Sequence, residues 1–390
     1  MKILFYSPHS QLYLNAPTGY GSHMRGMIKA FQLLGHEVDV LVMAGNMQEN
    51  IGNNTTSQKN KTLKKFIPSI IWRTLKEINW LRFDGKARIE LEKKIESFQP
   101  DLVYERSAWM SNGCEHLTKK YGIKHIVEIN APFEEEIKSF EGKYSLIHFI
   151  GKHKFKKLLR NCTAIASINS ELTRVLSNTY NIDKEKFIFT PNAISEDEIE
   201  LASQASIPAE LDHLKNTNIF GFVGSLLPYH GIDVCIKAFS KMKGANAHLL
   251  IVGDGYLIPE YQKLCEELEI SDQVTFTGSI PKCNIWNYLY AMSMVLLPDT
   301  GWYCSPVKFF EYALIGRPII AAKQPGVTDI FNEKECTFFS GREEELSTLF
   351  QEFLKHPEKF ETMGKQCREI VIRKHQWTNN AIAILNSIES

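Results

Sequence analysis

Two doubly wound α/β domains facing each other across a cleft are predicted by three features of the sequence. Short apolar runs alternate with amphipathic segments, a second such series begins near residue 217, and the chain is 390 residues long. Parallel strands buried on both faces read as near-continuous apolar runs, with helices covering the sheet between them. A chain of this length divides naturally into two domains of under about 200 residues each.

The first series opens with ILFYS (3–7) and a helix carrying Met24, Met27, Ile28, Phe31 and Leu34 on one stripe. Gly35 stops that helix, and EVDVLVMA (37–44) is the next strand. DLVYER, KHIVEIN, AIASIN and FIFTPN follow as strands of the same half. In the second series NIFGFVGSL precedes a helix over 232–242, and AHLLIVGDG precedes another over 258–268. QVTFTGSI and MVLLPD bracket a helix at 283–292, and the helix after SPVKFFEYALIG leads into RPIIAA. These strands end in Gly, Pro, Asp or Asn, which gathers ligand-facing loops at their carboxyl ends. The expected division is 1–200 and 201–372 with a terminal helix at 373–390, the join lying in the acidic, loop-like stretch SEDEIELASQASIPAELD. Residues 46–75 interrupt the alternation with a polar excursion, followed by IPSIIWRTLKEINWLRF.

Forty-five basic residues balance 45 acidic ones, so no global field points to nucleic acid. The eight cysteines are scattered and form no C-x-x-C pair, which signals neither a metal centre nor a disulfide framework. Reduced thiols and a cytoplasmic location are expected. MKILFYSPHS reads as a strand rather than a leader, and no apolar run is long enough to cross a bilayer.

Several glycine-bearing turns precede helices. Gly19, Tyr20 and Gly21 lie in APTGYGSH, where the first helix begins. Glycine lets backbone approach an anion closely, although this turn is no dinucleotide fingerprint. Ser225 and His230 lie in FVGSLLPYHG, and Gly253 in VGDGY.

The helix after SPVKFFEY is the most informative. Ser305 is an expected N-cap and Pro306 an expected first helical residue, with Val307 and Lys308 completing the amino end. A lysine there opposes the helix dipole. Two readings fit. One is a surface pair with Glu311, worth a few tenths of a kcal/mol. The other is a phosphate site, in which Lys308 meets a diphosphate and Glu311 accepts hydrogen bonds from a ribose diol.

In this order and at these distances, FVGSLLPYHGIDVCIKAF, LLIVGDG, VTFTGSI and SPVKFFEYALIGRPIIAA resemble the C-terminal half of GT-B glycosyltransferases, closest to retaining family four. GYGSHMRGMIKAFQLLGHEVDVL, VEINAP and TPNAIS resemble segments of its N-terminal half. The resemblance implies a UDP- or GDP-linked sugar donor held mainly by the second domain and an acceptor held mainly by the first. It implies transfer with retention, without metal or further cofactor. A D-x-D motif is absent, as that fold leads one to expect. By position, Glu311 matches the ribose-binding carboxylate, Ile280 the backbone against the base, and Gly21 the glycine near the diphosphate. The terminal helix would return to the first domain, pinned by Trp377.

Three positions depart from the family pattern. Tyr303 stands where a first glutamate is common, and Ser225 and His230 where a basic pair is usual. Lys308, and His230 if protonated, would restore positive charge. Glu128 and Asn130, at the end of VEIN, fall where a polar residue approaches the transferring sugar. Either would orient an acceptor hydroxyl, and Glu128 would accept its proton. Glu105 and Arg106 are expected to pair on the same wall. The acceptor class stays open among glycans, lipid-linked and small molecules. KTLKKFIPSIIWRTLKEINWLRF and HFIGKHKFKKLLRN mix lysine with large apolar residues, as a contact with the inner membrane face would require, or as ordinary half-buried helices do. A nucleotide-sugar epimerase of the same fold and a non-catalytic sugar-nucleotide-binding protein are the alternatives.

Overall fold

The computed structural model describes residues 1–16, 18–46 and 68–389. Most of the polar excursion, and with it the first part of the 61–83 stretch, lies outside the described residues. The chain forms two compact units, Met1–Thr190 with Thr378–Ser390, and Pro191–Trp377.

The first unit contains β1 (Lys2–Ser7), β2 (Glu37–Val42), β3 (Leu102–Arg106), β4 (Lys124–Ile129), β5 (Ala164–Ser167) and β6 (Phe187–Phe189). They pair in parallel in the order β2-β1-β3-β4-β5-β6. The second unit contains β7 (Asn218–Val223), β8 (Ala247–Val252), β9 (Val274–Phe276), β10 (Met294–Leu297), β11 (Ile319–Ala322) and β12 (Thr337–Phe339). Their order is β12-β11-β10-β7-β8-β9, again all parallel. In the second unit the central strands β7, β8 and β10 pack apolar residues on both faces because helices cover both.

The strands expected from the sequence form, and three features differ from it. β12 and the helices Glu343–Lys355 and Pro357–Lys374 extend the second unit beyond the last expected strand. β12 is a three-residue edge strand, too short for periodicity to reveal. The acidic stretch expected as a loop is a helix, Glu196–Ser203. Ser195 and Glu198 form a reciprocal capping box there, the Ser-x-x-Glu pattern that starts helices. The two units meet in sequence at Thr190 and Pro191, ahead of that helix rather than within it. The last helix, Trp377–Glu389, begins where the Trp377 backbone N–H donates to Ile194 O at 3.2 Å.

Candidate functional site

In the second unit the relevant side chains gather at the carboxyl ends of β7 and β8. The helix Val307–Ile315 is held against β7 by Tyr312, whose hydroxyl accepts from Val223 N at 2.8 Å and donates to Val223 O at 2.9 Å. This fixes the amino end of the helix beside the turn at Gly224. That helix starts one residue later than expected. Pro306 is the N-cap, with no side-chain cap, and Ser305 is not. Pro306 has no N–H, and the Ser305 hydroxyl is committed elsewhere, accepting from the backbone of Asn192 at 2.9 Å. Asn192 also donates through its side chain to Ser305 O. Sequence reasoning missed Asn192, whose only signal was its place in TPNAIS.

Lys308 is half-buried. Its ammonium lies 3.3 Å from His230 Nε2 and 4.5 Å from the centre of the Phe222 ring. Gly224, at φ +150°, leaves room for it: a Cβ there would stand 2.4 Å from Lys308 Nζ. Burial lowers the Lys308 pKa to about 8, against the raising field of Glu311. Burial and the Lys308 charge lower His230 to about 4, so its imidazole is neutral near pH 7 and accepts from the ammonium. The second positive charge expected from His230 is therefore absent, because two cations this close repel.

Glu311 is also buried, at 7% exposure, which excludes the surface-pair reading. It pairs not with Lys308 but with Lys282 at 3.5 Å, and Lys282 also reaches Glu198 at 3.3 Å. Burial raises the Glu311 pKa, and Lys282 opposes the shift. Ile280, two residues before Lys282, packs against the core on this side of the sheet. Gly253 lies under the Gly224 turn, where a Cβ would come within 1.9 Å of Gly224 O. Ser225 is exposed in that turn. Tyr303 sits in the loop before the helix with its ring edge-on to Trp302, 5.3 Å between centres. Asp299 braces that loop, accepting from Thr300 N at 2.6 Å and from Gln324 Nε2 at 2.6 Å.

In the first unit Gly19, Tyr20 and Gly21 begin the helix Gly19–Leu33, whose N-cap Thr18 provides no side-chain cap. A Cβ at Gly21 would lie 2.2 Å from Ala16 O, so only glycine fits that turn. Arg25 secures the preceding loop, donating to Leu14 O at 2.7 Å and Ala16 O at 3.1 Å.

Glu128 is fully buried at the end of β4. It accepts from Tyr104 at 2.6 Å, from Arg106 and from Asn130, and His23 Nε2 lies 3.0 Å away. Burial pushes its pKa up, but His23 and Arg106 outweigh burial and hold the carboxyl far below the usual range. So stabilised an anion is a poor proton acceptor, which corrects the base role expected of Glu128. Asn130 is spent on the same carboxylate. Glu105 and Arg106 do not pair, because successive residues of a strand point to opposite faces. Arg106 joins Glu128, whereas Glu105 meets His125 Nε2 at 2.8 Å on the other side, with Cys114 Sγ 3.3 Å from that nitrogen. This buried Glu–Cys–His group is brought together by the fold from separate strands and a helix, so linear spacing gave no sign of it.

Comparison with known proteins agrees with this architecture. Residues 17–198 match the model of Glycosyltransferase Family 4, and residues 203–370 that of Glycosyl transferases group 1. The chain belongs to the group 1 glycosyltransferases. A 2-deoxystreptamine glucosyltransferase of Streptomyces kanamyceticus is 23% identical over 51% of this chain and 53% of its own. The chain thus spans about half the length of that relative. An uncharacterised glycosyltransferase of Methanocaldococcus jannaschii is 23% identical over 81% of this chain and 79% of its own. Among solved structures, Anabaena HepE in complex with UDP superposes with a TM-score of 0.69 at 14% identity, covering 100% of both chains. The chain therefore shares that fold.

Helices with mixed basic and apolar faces complete the first unit. His148–Asn161 buries Gly151, Phe155, Leu158 and Leu159, the ordinary half-buried pattern. Leu146, just ahead of it, and Phe149, in its first turn, remain exposed. Among the described residues no helix is long and apolar enough to cross a membrane.

Proposed function

We propose that this chain transfers a sugar from a UDP- or GDP-linked donor to an acceptor, with retention at the anomeric carbon. The observation that carries the proposal is the half-buried Lys308 ammonium at the amino end of Val307–Ile315, facing the glycine turn at Gly224 with buried Glu311 one turn further on. A helix amino end and an ammonium together suit a diphosphate, and their attraction grows as the departing phosphate gains charge. Glu311 would then accept the two ribose hydroxyls, with Lys282 opposing the effect of its burial. The base would lie along the backbone at Ile280. Glu128 positions His23, Arg106 and Asn130 on the acceptor side rather than taking a proton. The leaving phosphate oxygen is then the proton acceptor, on the face from which it departs, which is the arrangement that retains configuration.

Glu311→Ala is the direct test. Loss of two charge-assisted hydrogen bonds should weaken UDP or GDP binding by about 1–3 kcal/mol in calorimetry, and an unchanged affinity would sink the assignment. Donor binding should also depend on pH. A bound diphosphate favours the charged lysine, so affinity is full below the free-enzyme pKa of about 8 and declines as pH rises through it. The decline should approach about tenfold per unit above that point, a slope that disappears in Lys308→Ala. Exposed Leu146 and Phe149, at the amino end of a lysine-rich helix, also support peripheral contact with anionic lipid. Flotation with anionic liposomes at low salt checks this, and no association removes it.

A further inference from the structure

The first unit holds a crevice that nothing above has assigned. Its sheet changes winding direction between β1 and β3, since β2 lies on one side of β1 and β3 on the other. Ligands of open parallel sheets bind outside the carboxyl ends of the strands at such a point. A cavity of about 170 Å³ opens there, lined by the loops after β1 and β3 and by the helices Ser69–Phe98 and Phe133–Glu141.

Its walls are aromatic. Trp80 and Phe83 come from the long helix, Trp109 from the loop after β3, and Phe133 from the start of the helix after β4. The Trp109 wall is rigid: its indole N–H donates to Glu77 at 3.2 Å and its ring stacks on His148 at 5.1 Å. Aromatic faces carry negative potential, and the C–H face of a sugar ring is weakly positive, so the two pack well. Sites for drug-sized ligands run to about 300–1,000 Å³, so this cavity is sized for a single ring.

Its charge is as informative as its shape. Among the described residues, no lysine or arginine lines it. Burial, with Arg106 and Lys76, lowers His9 to about 4, which leaves a neutral imidazole at the wall. The acidic lining residues are Asp84 and Glu136. Asp84 is matched by Lys154 at 2.9 Å and accepts from Ser111 at 2.7 Å. Of the nearby cations, Arg106 is committed to Glu128 and Lys76 lies over the Trp80 ring. Among the described residues that line it, a phosphate entering this space would meet the carboxylates of Asp84 and Glu136 and no guanidinium or ammonium.

We propose that this aromatic crevice is the acceptor subsite, that it takes one uncharged pyranose ring stacked on its tryptophan wall, and that it rejects phosphorylated sugars. The proposal rests on the glycosyltransferase reading and narrows its acceptor class.

Saturation-transfer NMR on the full chain tests it, using the methyl glycosides of glucose, galactose, mannose and N-acetylglucosamine against glucose 6-phosphate. At least one neutral glycoside should receive saturation while glucose 6-phosphate receives none. Trp80→Ala should weaken the neutral contact about tenfold with the UDP thermal shift retained, which also shows that the variant folds. Glu136→Lys, which puts a cation on the wall, should admit glucose 6-phosphate. The proposal is overturned if no neutral glycoside binds, if glucose 6-phosphate binds equally well, or if both variants behave as the parent. UDP binding in the parent separates the two ideas: if it persists while the glycosides fail, only this subsite is lost.

Discussion

Lys308→Ala should lose between about ten- and a hundredfold in UDP affinity, because a hydrogen bond to a charged group contributes about 1.5–3 kcal/mol. Turnover should fall further, by about 10²–10³, since the ammonium meets more negative charge in the transition state than in the bound donor. Calorimetry and steady-state kinetics separate the two losses. Lys308→Gln keeps the bulk in the space opposite Gly224 and should behave like alanine, which assigns the loss to charge rather than packing. Removing the ammonium also removes one of the two causes that depress His230. In these variants a residual affinity should grow as pH falls toward the ordinary imidazole range. If both variants bind and turn over like the parent, the helix amino end is not the diphosphate site.

The second large effect concerns stability. Glu128→Leu removes the one anion that Tyr104, Arg106, His23 and Asn130 share, leaving a guanidinium buried without its partner. Breaking a buried pair from one side costs about 3–5 kcal/mol, enough to unfold a marginal domain at 37 °C. The sign with pH follows from the depressed carboxyl. Its contribution is present above the unfolded-state value of about 4.3 and is lost as pH falls through the folded-state one. Denaturant titrations should therefore show parent and Glu128→Gln converging in stability as pH drops below about 4. A constant gap would mean that Glu128 stabilises through packing alone.

Much of this was legible in the sequence, for identifiable reasons. Strands covered on both faces announce themselves as near-continuous apolar runs such as AHLLIV, whose one polar residue, His248, is buried beside Thr275 at 2.8 Å. The lysine in the first turn of Val307–Ile315 was equally visible, since it contradicts the dipole it sits in. What stayed hidden depends on which neighbour a side chain finds in three dimensions. Glu311 is paired with Lys282 from another element, not with the lysine one turn before it. The four-donor shell of Glu128 joins two strands and a helix. The cap of Val307–Ile315 failed as an expectation because Ser305 serves the backbone of Asn192, 113 positions away.

The eight thiols give the molecule a chemical footprint of its own. Cys283 is the exposed cysteine among eight, and its neighbour Lys282 reaches Glu311; Cys304 is half-exposed and immediately precedes Ser305. The other six are buried. Alkylation with a maleimide should therefore proceed in two phases, fast at Cys283 and slower at Cys304. Nucleotide that occupies the neighbourhood of Lys308 would shield the slower one, so mass spectrometry of the labelled chain can read occupancy directly, without a radiolabel or a coupled assay.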